Sequence, residues 1–377
     1  MVLAAVLTLV VPPAVRAQPH RGLTAAPELA RIYDAIFDAR FEDVAPLVAA
    51  ARGAAPPEAC QVLEAVAAWW RIQLDPHDTS RDAEFRARAA AAIAATTAWT
   101  EREPERAEAW FYLAGAHSAL AQWRVARGER LAAARDGRRI KEALERAVAL
   151  DAEMADAYFG LGLYRYYAAV APFAFRMLRW ILLLPGGDRV QGLQDMLRAR
   201  QSGALVRSEA DFQLHLVYLW YEQQPERALD LLRALRSRHP RNPRFRQAIA
   251  EIHDVYFHDA EASRASWQAL LDAAIRGEVA EPAMARAAAR LGLALQLDRL
   301  SRTDAALEHL RAIVLARPHA PVGVVARAHL QIGQMLDRAG RRAAAAAAYR
   351  EAIAAAGADD PLKVTPRARA ALRAPRR

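Results

Sequence analysis

Gly186, Gly187 and Asp188 sit within "PGGDRVQGL" (residues 185–193), a glycine pair placed just before a helical pattern. Such a pair can cradle a phosphate, because free backbone N–H groups and the helix dipole both favour an anion. A phosphate loop of the G-x-x-x-x-G-K-[ST] kind also needs a lysine for the phosphates and a hydroxyl for magnesium. Here Asp188 and Arg189 follow the glycines, with neither lysine nor hydroxyl, and the Asp188 carboxylate repels a phosphate. A dinucleotide fold requires a strand ahead of the glycines, yet the preceding "FRMLRWILLL" (175–184) is helical in pattern. A structural corner uses every residue. Pro185 follows a helix end, and Gly186 and Gly187 supply a positive-φ turn. Asp188 then caps the next helix, and Gln191 three residues on completes a capping box.

Other reactive types are sparse. "EIHDVYFHD" (251–259) is the one histidine cluster, but His253 and His258 are five apart and diverge around a helix. A zinc-protease helix needs H-E-x-x-H. No serine stands in G-x-S-x-G. Glu101, Glu103, Glu105 and Glu108 crowd the entry to one helix, the pattern of a solvated face. Cys60, the single cysteine, lies in the apolar "ACQVLEAVAAWW" and reads as an inert core thiol. No nucleophile, general acid, metal ligand or cofactor site is assigned, and the chain is not expected to be an enzyme or to take a small-molecule substrate.

The elements that carry these residues are helical. The chain has 377 residues, 54% of them apolar and only 17 of them glycine. Alanine fills stretches such as "RRAAAAAAYREAIAAAG", and alanine is the best helix former. The net charge of +9 is unevenly placed. The end, "PLKVTPRARAALRAPRR" (361–377), holds six basic residues and no acid. With those and Arg16 set aside, +2 of the +9 remains, which does not indicate nucleic-acid binding. The end reads as a basic disordered tail. At the other terminus, "MVLAAVLTLVVPPAVRAQPH" has an apolar run too short to span a bilayer, then Val15-Arg16-Ala17 where a signal peptidase reads. Residues 1–17 are therefore expected to be an export signal, although no basic residue precedes the run, with the mature chain starting at Gln18 in the periplasm or outside the cell.

Internal similarity is plain. "PERAEAWFYLAG" (104–115) aligns with "AEMADAYFGLGL" (152–163). Ala228 to Pro240, Ala306 to Pro318 and Val44 to Pro56 each span 12 residues, and Gly333, Ala345, Tyr349 and Ala352 mark a further copy. On these residues the chain resembles a tetratricopeptide-repeat protein over residues 28–357. With "WWRIQLD", "GLGLYRYY" and "LPGGDRVQGL" it is also similar to exported bacterial repeat proteins with no assigned activity. The resemblance implies an all-α helical solenoid in which each antiparallel pair buries its apolar face on the next. Gly162 and Gly333 are expected at close helix contacts, and Pro240 and Pro318 at helix ends. Trp110 to Tyr158 is 48 residues, against about 34 for a regular repeat, so the second helices around 121–148 must be extended or doubled. The expected division is 18–100 as an N-terminal helical repeat region, 101–360 as the solenoid with an inserted helical segment near 169–200, and 361–377 as tail.

The same resemblance implies which side chains face the groove. With Trp110, Tyr158 and Phe212 in register, the aromatic members are Phe111, Phe159, Tyr166, Tyr167, Trp220 and Tyr221. Glu108, Asp156 and Val217 share that face. Tyrosine and tryptophan suit partner binding, offering rigid area with a polar tip. A protein or peptide partner is the implied ligand, bound by a non-catalytic exported scaffold. The apolar segment 169–185 leaves the groove's state open: it can fold in and cover the aromatics, leave them free, or, with Arg176 and Arg179 beside Phe173, Phe175 and Trp180, lie on an anionic membrane surface.

Overall fold

Residues 22–170 and 186–373 are described by a computed structural model, and every regular element among them is a helix. Residues 1–17, expected to be an export signal, all but two residues of the segment 169–185, and residues 374–377 lie outside them. The helices run in antiparallel pairs: α1 (Ala26–Phe37) with α2 (Phe41–Ala51), α3 (Pro57–Leu74) with α4 (Asp82–Arg102), α5 (Ala107–Ala126) with α6 (Arg130–Leu150), and α7 (Ala155–Val170) with α8 (Arg189–Ser202). Then come α9 (Arg207–Trp220) with α10 (Pro225–Arg238), α11 (Pro243–Val255) with α12 (Ala260–Ile275), α13 (Pro282–Arg299) with α14 (Thr303–Ala316), and α15 (Val324–Arg338) with α16 (Arg342–Ala356). A single helix, α17 (Val364–Arg373), ends the stack.

Local chemistry sets these boundaries. Proline occupies the first turn of α3, α10, α11 and α13, where its missing N–H would be unpaired anyway. Pro240 and Pro318 follow the ends of α10 and α14, as expected. The long third repeat is resolved simply: α5 and α6 have 20 and 21 residues, so both helices are extended and neither is doubled. The sequence alignment is also borne out in detail. The Trp110 indole donates to the Pro104 carbonyl at 2.9 Å, and the Tyr158 hydroxyl to the Ala152 carbonyl at 3.1 Å, each six residues back.

Two glycines bring helices together. A Cβ on Gly162 would stand 2.6 Å from the Gly192 carbonyl oxygen and 2.8 Å from the Met196 nitrogen, so α7 and α8 touch backbone to backbone. A Cβ on Gly333 would meet the Tyr349 ring at 2.5 Å. α8 packs along α7 as its partner, so residues 189–202 show no break from the succession of pairs. The division at residue 100 marks no break either: one apolar core runs from Leu29 in α1 to Ile252 in α11.

The expected disordered tail is corrected from residue 364 onward. Val364, Ala368 and Ala371 are buried against α15 and α16. Asp360 accepts from the Val364 and Thr365 N–H groups at 2.9 and 2.6 Å, and Arg342 donates to the Ala371 and Leu372 carbonyls, so both ends of α17 are satisfied. Charge composition hid an alanine stripe with helical spacing.

The solenoid closes tightly on itself. Trp70 of α3 packs edge-on to Phe212 of α9, with centroids 5.0 Å apart. Phe37 of α1 lies 6.4 Å from Phe245 of α11. Asn242 Nδ2 donates to the Phe37 carbonyl at 2.7 Å, the Arg241 N–H to Asp38 at 2.8 Å, and the Val322 N–H to Asp75 at 2.8 Å. The elements met by α1 and α3 are the first helices of the later pairs, or the turns leading into them. The side that a groove would occupy is therefore filled by the chain's own opening pairs.

Candidate functional site

The six aromatics proposed for a groove separate into two places. Phe111 of α5 and Phe159 of α7 are half-buried and line a partly open cavity of about 90 Å³, together with Tyr33, Trp69, Trp70 and Tyr112. Tyr166, Tyr167, Trp220 and Tyr221 lie at the far ends of α7 and α9.

At that far end, Tyr166, Tyr167 and Tyr221 form a triangle of edge-to-face rings, with centroids 5.9, 5.9 and 5.7 Å apart. Tyr166 is fully buried, Tyr167 half-buried and Tyr221 39% exposed, while Trp220 beside it in the chain is 56% exposed. The Tyr166 hydroxyl donates to Glu222, and Arg189 grips the same carboxylate at 2.7 and 2.8 Å. The Arg189 bonds hold the Glu222 carboxyl below its ordinary range, with the Tyr166 hydroxyl adding to the effect, and burial chiefly raises the Tyr166 hydroxyl. Tyr221 thus stands partly exposed on a base of packed rings beside a charge pair, with Trp220 exposed next to it in the chain. This end offers hydrophobic area and hydrogen-bonding edges, but no nucleophile poised beside a base.

The glycine corner supports this end, with two departures from expectation. Asp188 does cap α8, its Oδ1 accepting from the Gln191 N–H at 2.9 Å. The reciprocal half of the capping box is missing, because the Gln191 side chain donates to Asp195 at 2.8 Å instead. Asp195 is also paired with Arg165, which leaves it a buried carboxylate that needs further donors. Gly187 does not take a positive φ. Its role is contact: a Cβ there would stand 2.1 Å from the Ala169 nitrogen and 2.4 Å from the Arg165 carbonyl oxygen. Gly186 has open space around it.

Glu108 and Asp156, placed on the groove face by register, are buried and hold backbone. Glu108 accepts from the Thr24 N–H at 2.7 Å and hydroxyl at 2.8 Å, and pairs with Arg106 at 2.8 Å. The reading of Glu108 as part of a solvated face is corrected, since residues 22–25 dock over the start of α5. Asp156 accepts from the Ala204, Leu205 and Val206 N–H groups at 2.8, 2.8 and 2.9 Å, fixing the entry to α9. Val217 is fully buried. His258 lies in the turn after α11 with φ of 53°, and no group of three potential metal ligands occurs among the described residues. Glu209 is the residue that sequence reasoning missed. It sits in the first turn of α9, buried on the cavity wall, and nothing in the sequence marks it out, since Arg207, Ser208 and Asp211 around it read as an ordinary polar helix start.

No protein-family model and no curated protein matches the chain. Among solved structures, yeast Tom70 is similar at 14% identity and a TM-score of 0.43, covering 84% of this chain and 64% of that one. The human IFIT1 dimer with m7Gppp-AAAA is similar at 12% identity and a TM-score of 0.44, covering 79% of this chain and 59% of that one. The APC/C hetero-tetramer Cut9–Hcn1 is similar at 14% identity and a TM-score of 0.48, covering 90% of this chain and 55% of that one. The chain therefore spans between 55% and 64% of the length of these structures. Successive antiparallel pairs, glycine contacts within them and the shared i−6 bonds of Trp110 and Tyr158 make this an all-α, tetratricopeptide-repeat-like helical solenoid with irregular, extended repeats.

Proposed function

We propose that this chain is a non-catalytic, exported scaffold that binds a protein or peptide partner at the end of α7 and α9, with Trp220 and Tyr221 as the contact residues. The exposure of Trp220 at 56% and of Tyr221 at 39%, the latter packed against the Tyr166 and Tyr167 rings, carries the reading. Rigid exposed aromatics lose little entropy on binding and are over-represented among residues that dominate interfaces. The Arg189–Glu222 pair beside them offers both signs of charge to a partner backbone. Membrane-surface contact through 169–185 is the other reading, and all but two residues of that segment lie outside the described residues, among which no helix is long and apolar enough to cross a membrane.

The test begins with affinity capture on the mature chain, identification of the bound protein by mass spectrometry, and direct titration of that partner. The Trp220→Ala/Tyr221→Ala variant should bind it roughly 1000-fold more weakly, as expected for two aromatic anchors worth about 2 kcal/mol each. Its far-UV melt should show a folded protein with a midpoint lowered only modestly, since Tyr221→Ala removes ring contacts with Tyr166 and Tyr167 while Trp220 is exposed. Equal affinity in the two proteins would overturn the site. Export rests on the apolar start and Val15-Arg16-Ala17. N-terminal sequencing of protein from fractionated cells should begin at Gln18 outside the cytoplasm, and recovery of an intact Met1 would reject export.

A further inference from the structure

The cavity walled by Trp69, Trp70, Phe111, Tyr112 and Phe159 lies apart from Trp220 and Tyr221, and its chemistry is unlike an ordinary core void. Six aromatic residues line it, counting Tyr33, and with them the carboxylates of Asp156 and Glu209. No lysine, arginine or histidine is among the described residues of its wall. Asp156 is answered by three backbone N–H groups, as above. Glu209 is not answered in kind. Its oxygens receive Gln213 Nε2 at 3.2 Å and the Tyr33 hydroxyl at 3.4 Å, with the Trp70 indole as a further donor, and it has no ion-pair partner within reach. Bonds to a carboxylate normally close to about 2.5–2.9 Å, so these are slack. The Tyr112 hydroxyl, on a side chain 2% exposed, meets no hydrogen-bond partner at all. Acid groups dominate the charges felt by the Tyr33 and Tyr112 hydroxyls: Glu209 and Asp156 for the first, Glu108 and Asp156 for the second.

Electron-rich ring faces, an uncompensated carboxylate and a buried hydroxyl without a partner together select for positive charge. We propose that this cavity binds a small organic ammonium group, with Glu209 as its counter-charge, Tyr112 Oη accepting a hydrogen bond from it, and the rings of Phe111, Phe159 and Trp69 packed around it. Size limits the ligand. About 90 Å³ equals the liquid volume of about three waters, at about 30 Å³ each, and falls short of the ~150 Å³ cavity that admits benzene. An ammonium or methylated ammonium head fits, and its alkyl tail leaves past Val66, Phe111, Phe159 and Gln122, which retain partial exposure. Either a free alkyl amine or a lysine side chain on a peptide presents this chemistry.

Titration of the full chain, followed by fluorescence of Trp69 and Trp70, tests the assignment. The probes are n-butylammonium, methylammonium, Nα-acetyl-lysine N-methylamide and, as the uncharged counterpart, 1-butanol. The cations should bind saturably and at least about tenfold more tightly than the alcohol. Glu209→Gln should erase that preference, Tyr112→Phe should weaken n-butylammonium and spare 1-butanol, and Trp220→Ala/Tyr221→Ala should bind the cations as wild type does. Saturation by the free amines and the lysine derivative alike identifies the ammonium group itself as the ligand, and saturation by the lysine derivative alone identifies a peptide side chain. The assignment is overturned if 1-butanol binds as tightly as the cations, if no probe saturates and the cavity holds water only, or if both Glu209→Gln and Tyr112→Phe, folded by their melts, retain the wild-type cation preference. Loss of partner binding in the Trp220→Ala/Tyr221→Ala variant with cation binding intact separates this site from the proposed partner surface.

Discussion

Trp70→Ala should lower the stability of the whole N-terminal two-thirds of the chain by about 3–5 kcal/mol, the usual range when a large buried aromatic is truncated. Trp70 is 1% exposed and touches Phe37 of α1, Phe212 of α9 and Phe245 of α11, at centroid distances of 4.3, 5.0 and 6.4 Å. A solenoid with an open groove would lose only contacts within and next to one repeat, because its pairs interact with nearest neighbours. Here one side chain ties the second pair to the fifth and sixth. Urea denaturation followed by far-UV circular dichroism should show the midpoint falling for the whole segment. A shift under about 1 kcal/mol would mean that Trp70 is not a core residue.

Tyr166→Ala should lose a comparable amount, about 3–5 kcal/mol, since the ring is fully buried. Tyr166→Phe should lose less, about 1–3 kcal/mol, the range for leaving a polar partner unsatisfied, here Glu222. Glu222 keeps Arg189, so the smaller end is expected. Trp220→Ala, at an exposed site a few residues from the same cluster, should stay within about 0.5 kcal/mol. Equal losses at Tyr166 and Trp220 in urea denaturation would show that the far end is not layered into a buried base and an exposed face.

How far the sequence reveals this arrangement depends on the range of the interaction. Pairs with strong local marks are legible: Trp110 and Tyr158 at equivalent places, Gly162 and Gly333 at helix contacts, Pro240 and Pro318 past helix ends. Two pairs, α3 with α4 and α11 with α12, carry no such marks. The buried face of α4 is largely small, with Ala89, Ala92 and Thr96 beside Phe85 and Trp99, so hydrophobic periodicity is faint there. The helix α17 was masked by its arginines, although Val364, Ala368 and Ala371 already have helical spacing.

The closed interior was illegible for another reason. Register shows which face a residue takes on its own helix, and the structure places Phe111 and Phe159 on the wall of one cavity. Register says nothing of the superhelical pitch, which decides whether that face meets solvent or another repeat. Trp70 and Phe212 are 142 positions apart in the chain and share no motif. Acids on that face were misread for the same reason, since the donors to Glu108 and Asp156 include backbone groups 84 and 48 to 50 residues away.

The proposed partner contact at Trp220 and Tyr221, on a solenoid whose opening pairs pack against its later ones, is tested most directly by hydrogen exchange on the chain with and without its captured partner. Binding should slow exchange in peptides covering Tyr218–Glu222 and the start of α8 at Arg189, and leave those covering Val62–Trp70 and Phe111–Ser118 at their free rates. Protection of the second pair of peptides, with none at Trp220, would place the partner inside the solenoid and contradict both the closed interior and the proposed surface.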